Sequence, residues 1–229
     1  MHHDGQLHDE GQPVMTESLP TMRFSLSRRR FLGATAALAV LGLATTVLGT
    51  RPAFAQGSGA DTFVRNFADE LLAIVNGQQS TAAKRAALQP VIDQNVDVAT
   101  IARFCLGRFW NSATPAQQAQ YTQLFHQVLL NNISGHLGEY RGVKFTMTGS
   151  HSQGADVLVG TIITRPNEPD ANVQWVVSTS SGSPKVVDVV AEGTSLRLTQ
   201  RQDYASYLGR HGNDIDKLLA ALQRQLNSQ

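Results

Sequence analysis

Beyond residue 55, the side chains that could do chemistry are four histidines, one serine in a Gly-Thr-Ser run, one cysteine and two nearby carboxylates. His126, His136, His151 and His211 could share a metal only at ligand spacing. His126 and His136 are ten apart rather than three or four, so no metal site is expected. Gly193-Thr194-Ser195 begins like a nucleophile elbow, but that strained turn needs glycine two residues after the serine, and Arg197 stands there. Ser195 therefore reads as a strand-end residue making local hydrogen bonds. Asp188 and Glu192 could pair for acid–base work. With no partner in view, they read as a polar strand position and a turn residue. Cys105 is the only cysteine and lies in the apolar run "IARFCLG", where a small buried hydrophobe is expected rather than a reactive thiol. There is no Gly-rich phosphate loop, no cysteine pair and no HExxH. The residues offer no catalyst, no metal ligand set and no cofactor motif.

The elements that would position these residues fall into two halves. Phe63, Phe67, Leu71, Ile74 and Val75 recur at helical spacing. "STAAKRAALQPVIDQ" opens on Ser80 as a cap, and Pro90 should end or kink that helix. Asp97 can cap "VATIARFCLGRFW". Thr114, Pro115 and Gln117 spell a capping box before the stripe Tyr121, Leu124, Phe125, Val128 and Leu129. After Gly142 the period changes to two. "VKFTMTGS" and "ADVLVGTIITR" form one expected hairpin around Gln153-Gly154, and "ANVQWVVSTS" and "PKVVDVVAE" form a second around Ser181-Gly182. Two helices follow, the last capped by Asn213 or Asp214. Helices first and antiparallel strands second make an α+β domain with a sheet of about four strands wrapped by N-terminal and C-terminal helices. The strands are apolar on both faces: Val157, Val159 and Thr161 oppose Leu158 and Ile162, and Val187, Val189 and Ala191 oppose Val186 and Val190. Something must cover each side.

The start of the chain reads as an address. Phe31 to Thr50 carries no charge, yet twelve of its twenty residues are Gly, Ala or Thr, a weak membrane span. Ser27-Arg28-Arg29-Arg30-Phe31-Leu32 before it fits the twin-arginine export pattern, and Ala53-Phe54-Ala55 behind it fits a signal-peptidase site. Residues 1–55 are thus expected to be removed, leaving 56–229 as a single domain in the periplasm. Met22 opens a shorter leader, and His2, His3 and His8 are given no function. Five of the 19 basic and four of the 18 acidic groups precede Gln56, leaving fourteen of each. A neutral chain without a Lys/Arg run is not expected to bind nucleic acid.

"LGRFWNSATPAQQAQYTQLF" and "VVAEGTSLRLTQRQDYASYL" make the chain recognisable. Leu106, Gly107, Phe109, Trp110 and Thr114 to Gln117 in the first, Asp188, Glu192, Gly193, Ser195 and Arg201 in the second, and Trp175 between them resemble the MlaC family of toluene-tolerance periplasmic lipid carriers. The resemblance runs in order from about Ala60 to Leu222. It implies a soluble, non-enzymatic carrier that binds a phospholipid by its acyl chains. The carrier would move it between an outer-membrane lipoprotein complex and an inner-membrane transporter built on an ABC ATPase with a lipid-binding ring, in the service of outer-membrane asymmetry. It also implies an antiparallel sheet like half of an NTF2-like cone, with an apolar pocket between sheet and helices. Strand parity and the family fold together mark Phe109, Trp110, Phe125, Leu129, Val157, Val159, Trp175, Val177, Val187, Val189 and Tyr204 as the pocket wall. Arg103, Arg108, Arg141 and Arg201 are expected at the mouth or on docking surfaces. Two other readings stay open: a hopanoid carrier of the same family, and a small periplasmic enzyme on an NTF2-like scaffold, which would need a titratable cluster in its cavity.

Overall fold

A computed structural model describes residues 53–136 and 141–228, with side chains from residue 59 onward. The twin-arginine motif and the apolar stretch behind it lie outside the described residues, and the expected cut before Gln56 falls in the first turn of the first helix. Four helices come first: α1 (Ala53–Asn76), α2 (Thr81–Asn95), α3 (Val98–Leu106) and, after a 3-10 turn over Gly107–Asn111, α4 (Pro115–Gly135). A meander follows, β1 (Lys144–Gln153), β2 (Asp156–Thr164), β3 (Ala171–Ser178), β4 (Lys185–Ala191) and the two-residue β5 (Thr194–Ser195), with neighbours in sequence order and every pair antiparallel. Helices α5 (Leu196–Arg210) and α6 (Ile215–Asn227) complete the α+β fold. Among the described residues, no helix is long and apolar enough to cross a membrane.

Local chemistry places the helix starts where expected. Ser80, Asp97, Thr114 and Asp214 each accept an amide hydrogen from their own first turn, and Thr114 and Gln117 complete the capping box. Pro90 does not end α2, which runs five residues further to Asn95. Pro90 is exposed, so the amide hydrogen bond it cannot make lies on a solvated face. Nor does α3 continue to Trp110. Gly107, at φ 60° and ψ −130°, breaks it in a conformation that a β-carbon disfavours.

Two layers assemble from these parts. Helix α1 lies on β1 and β2, where Asp61 accepts from Ser150 Oγ at 3.1 Å. Helix α2 locks onto α1 through the buried Lys84, whose Nζ donates to the Val75 carbonyl in the last turn of α1 and satisfies the negative end of that helix. The α2–α3 junction is stitched to the start of β4. Val96 forms a parallel bridge with Val186, Asp97 N donates to the Val186 carbonyl at 3.0 Å, and Lys185 Nζ donates to the carbonyls of Asp93 and Gln94. Helices α3, α4, α5 and α6 pack on one another to form a second, purely helical core.

Candidate functional site: the apolar seam between sheet and helices

The sheet presents one apolar face to α1, α2 and α4. Trp175 stands at its centre, edge-on to Phe67 with ring centroids 5.7 Å apart and tilted against Phe145 at 6.3 Å. Its Nε1 donates to Thr161 Oγ1 at 3.0 Å, and Thr161 donates in turn to the Val173 carbonyl, so the indole is buried without an orphan donor. Val157, Val159 and Val177 flank it as buried members of the same cluster, and Val189 joins as a half-buried one. What distinguishes this cluster is its rim. Phe63, Leu71, Ile133, Phe145, Met147 and Ile163 pack against it while remaining half-buried. The interface is filled by its own side chains, with an unfinished apolar edge.

Three residues expected in the pocket wall are elsewhere. Phe109, Phe125 and Tyr204 are buried inside the helical core, where Tyr121, Phe125 and Tyr204 form an aromatic trio with centroids 5.9 to 6.5 Å apart. Tyr121 Oη donates to the Ala102 carbonyl. Burial pushes both tyrosine hydroxyls far above their usual range, with smaller contributions from Tyr204 and Cys105 at Tyr121 and from Cys105 and Asp203 at Tyr204. Leu129 borders both cores, and Trp110 sits at the edge of the helical one.

Val187 corrects the strand-parity reading. Val176 pairs with Asp188 but Val177 pairs with Val186, so β4 carries a bulge at Val187–Asp188. The extra residue puts Val186 on the same face as Val189 and turns Val187 to the opposite face, where it clusters with Leu158 and Val176. The residues that sequence reading left out of the wall are the rim: Phe63, Ile133, Phe145 and Met147. The alternation of Phe145 and Met147 in "VKFTMTGS" was the available signal for two of them.

An open cleft of about 810 Å³ lies at the seam of the two cores, floored by Val96, Val98, Trp110 and Ala119 and edged by Asp93, His126, Lys185 and Ser181. His126 Nε2 is 2.8 Å from Asp93 Oδ1 but out of line for a hydrogen bond. Thr122, four residues before His126, donates its hydroxyl to the Gln118 carbonyl. The Thr122 hydroxyl is thus engaged by the backbone of its own helix rather than by the imidazole. Among the described residues, no three metal-ligating side chains converge.

The two recognisable stretches meet in a clasp on the far side of α3. Buried Asp188 accepts from Ser195 Oγ at 2.5 Å and from the amides of Val189 and Arg197, and its Oδ2 lies 3.4 Å from Arg197 Nε. Ser195 in turn caps α5 by accepting from Leu198 N. Arg197 and Arg201 both lie over the Phe104 ring, at 4.6 and 5.0 Å. Cys105 is buried beneath, its thiol pushed up to about 12, first by burial and then by the charge of Asp188. Glu192 serves the β-turn, accepting from the Asn172 amide. These polar residues hold elements together.

The comparisons agree with this architecture. The family model "MlaC protein" matches residues 65–224. The "Toluene tolerance protein ttg2D" of Pseudomonas putida is 26% identical over 135 residues, which are 58% of this chain and 63% of that relative, so the match spans less than two thirds of the relative's length. A solved phospholipid-binding protein of Ralstonia solanacearum, in complex with a phospholipid, shares the fold with a TM-score of 0.65 at 23% identity, over 74% of this chain and 97% of that one. The chain belongs to the MlaC family.

Proposed function

We propose that the protein is a soluble periplasmic carrier that holds a phospholipid by its acyl chains at the sheet–helix seam. The observation that carries this reading is the unfinished rim of the sheet core, where half-buried Phe63, Leu71, Ile133, Phe145, Met147 and Ile163 surround buried Val157, Val159, Trp175 and Val177. Acyl chains laid along that rim complete a core that the chain alone leaves open to water. Family membership and the phospholipid bound by the Ralstonia protein support the same class of cargo. The chain is exported by the twin-arginine leader and processed before Gln56 to a single domain. It exchanges cargo with an inner-membrane ABC transporter complex bearing a lipid-binding ring and with an outer-membrane lipoprotein complex, and so serves outer-membrane lipid asymmetry.

The energetics suit exchange in both directions. Two acyl chains of roughly 30 methylenes at ~0.8 kcal/mol each gain on the order of 24 kcal/mol on leaving water. A bilayer offers the same gain, so transfer between membrane and protein lies near balance. Lipid extraction and gentle-ionisation mass spectrometry of the protein recovered from a bacterial periplasm test the reading. A two-chain phospholipid at close to one per protein is the expected result. A protein that is empty, and that also takes no phospholipid from vesicles, overturns it. Retention of a polycyclic lipid instead overturns the choice of cargo.

A further inference from the structure

Arg103, Arg108 and Arg201 form a basic surface that the carrier's seam does not use. Arg201 spans the break between α3 and the 3-10 turn. Its guanidinium lies over Phe104, and its Nε sits where a β-carbon on Gly107 would come within 2.9 Å. Arg103 and Arg108 flank that break and are exposed, with Arg103 over the Trp110 ring at 5.8 Å and Arg108 over the Phe109 ring at 4.9 Å. None of the three makes an ion pair among the described residues. The nearby carboxylates are spoken for or turned away. Asp97 caps the start of α3, and Asp188 is buried against Arg197 and Ser195. Asp203 lies about 160° round α5 from Arg201, at about 100° per residue. Arginine stacked on rings keeps its charge at the surface while its stem covers apolar area.

The same surface carries Leu198, at 46% exposure the exposed large hydrophobic residue of the described chain. It sits about 60° round α5 from Arg201, and half-buried Trp110 borders the patch. Guanidinium groups beside an exposed leucine and a tryptophan are the composition that settles at a lipid–water interface, where anionic headgroups meet the charges and the apolar tip enters the headgroup boundary. An acidic protein surface could meet the same charges, and the test below separates it from the bilayer. We propose that this face, formed by Arg103, Arg108, Arg201, Trp110 and Leu198, docks the protein reversibly on a bilayer surface bearing anionic phospholipid headgroups.

The protein recovered from a bacterial periplasm is floated with phosphatidylcholine vesicles, with or without about 30% phosphatidylglycerol. Each arginine near such a surface raises partitioning about fivefold. Binding to the anionic vesicles at low salt, release at about 0.5 M salt, and a loss of about tenfold or more in Arg103→Glu/Arg108→Glu are expected. Leu198→Ser weakens binding a few-fold and leaves its salt dependence intact. Arg103→Gln/Arg108→Gln serves if the reversed charges prevent folding, and unchanged melting shows that each variant is intact. Equal binding to both vesicle types, or undiminished binding of the double variants, overturns the proposal. So does an absence of vesicle binding in a protein whose two arginines are still needed to hold a lipid-free membrane-protein complex, which assigns the face to an acidic protein. The outcome is separable from the cargo reading, because a protein that retains no phospholipid can still float with anionic vesicles, and the reverse.

Discussion

The two apolar cores differ in how they end. Among the described residues, the helical core has eighteen buried members and five partly buried ones, and its interior holds an aromatic trio whose tyrosine Tyr121 is hydrogen-bonded. The sheet core has twelve of each, and its partly buried half includes Phe63, Phe145 and Met147. A cluster with a sealed boundary stores stability. One whose boundary is half apolar and half wet has an unsatisfied demand for cover, and that demand is what a ligand can meet. The same chain therefore carries two kinds of core: a closed one among α3 to α6, and one between the sheet and α1, α2 and α4 whose edge stays half open.

The comparison breaks most readily at Phe125. Phe125→Ala should cost about 3–5 kcal/mol, a fall of about 10 °C or more in melting temperature for a domain of this size, with lipid occupancy per folded molecule unchanged. A small shift in a calorimetric scan would mean that the helical core is not the sealed one. Alkali offers the next test. Burial pushes the folded Cys105 thiol up to about 12, against an ordinary value of 9.0. Above pH 9 the unfolded chain releases a proton that the folded one keeps, so this stability is whole below that pH and declines by about 1.4 kcal/mol per pH unit up to the folded value. Denaturant midpoints of the parent should therefore fall more steeply with pH than those of Cys105→Ala. Equal slopes would place the thiol in contact with solvent.

Smaller in stability but larger in function, Phe63→Ser with Met147→Ser removes two half-buried rim contacts. The cost is about 1–2 kcal/mol, while bound phospholipid falls by more than half by quantitative extraction. Full occupancy in that variant would move the cargo away from the rim. The smallest effect is that of Thr114→Ala, which deletes a cap at the start of α4 for about 1 kcal/mol. Equilibrium unfolding should register it, and lipid content should not.

What the sequence disclosed follows the range of the interactions. Caps at Ser80, Asp97 and Thr114 were legible because donor and acceptor are three residues apart. The four main strands and both hairpin turns were legible from period-two alternation. The bulge at Val187–Asp188 was not, since its register is set by pairing with Val176 and Val177 across the sheet, and one extra residue reverses every parity beyond it. That Phe109, Phe125 and Tyr204 lie in the helical core rather than against the sheet was hidden for a related reason. Helix α4 is apolar on two sides, with Leu124, Phe125 and Val128 facing the helical core and Leu130 and Ile133 the sheet. Periodicity reveals a stripe but not the partner it meets. Ser195 was legible as a strand-end residue because the motif lacked its glycine, and Asp188 as a polar strand position, and the clasp supplies the reason they are polar.

Gly107 has a bearing on inheritance. A side chain there would be strained by the backbone angle of +60° and would also push the flexible Arg201 guanidinium aside, so the backbone angle is what holds the glycine in place. A demand set by the backbone is independent of whatever the protein transports. The words by which this chain is recognised belong to its masonry, and descendants could exchange one cargo for another along the rim while still spelling the same name.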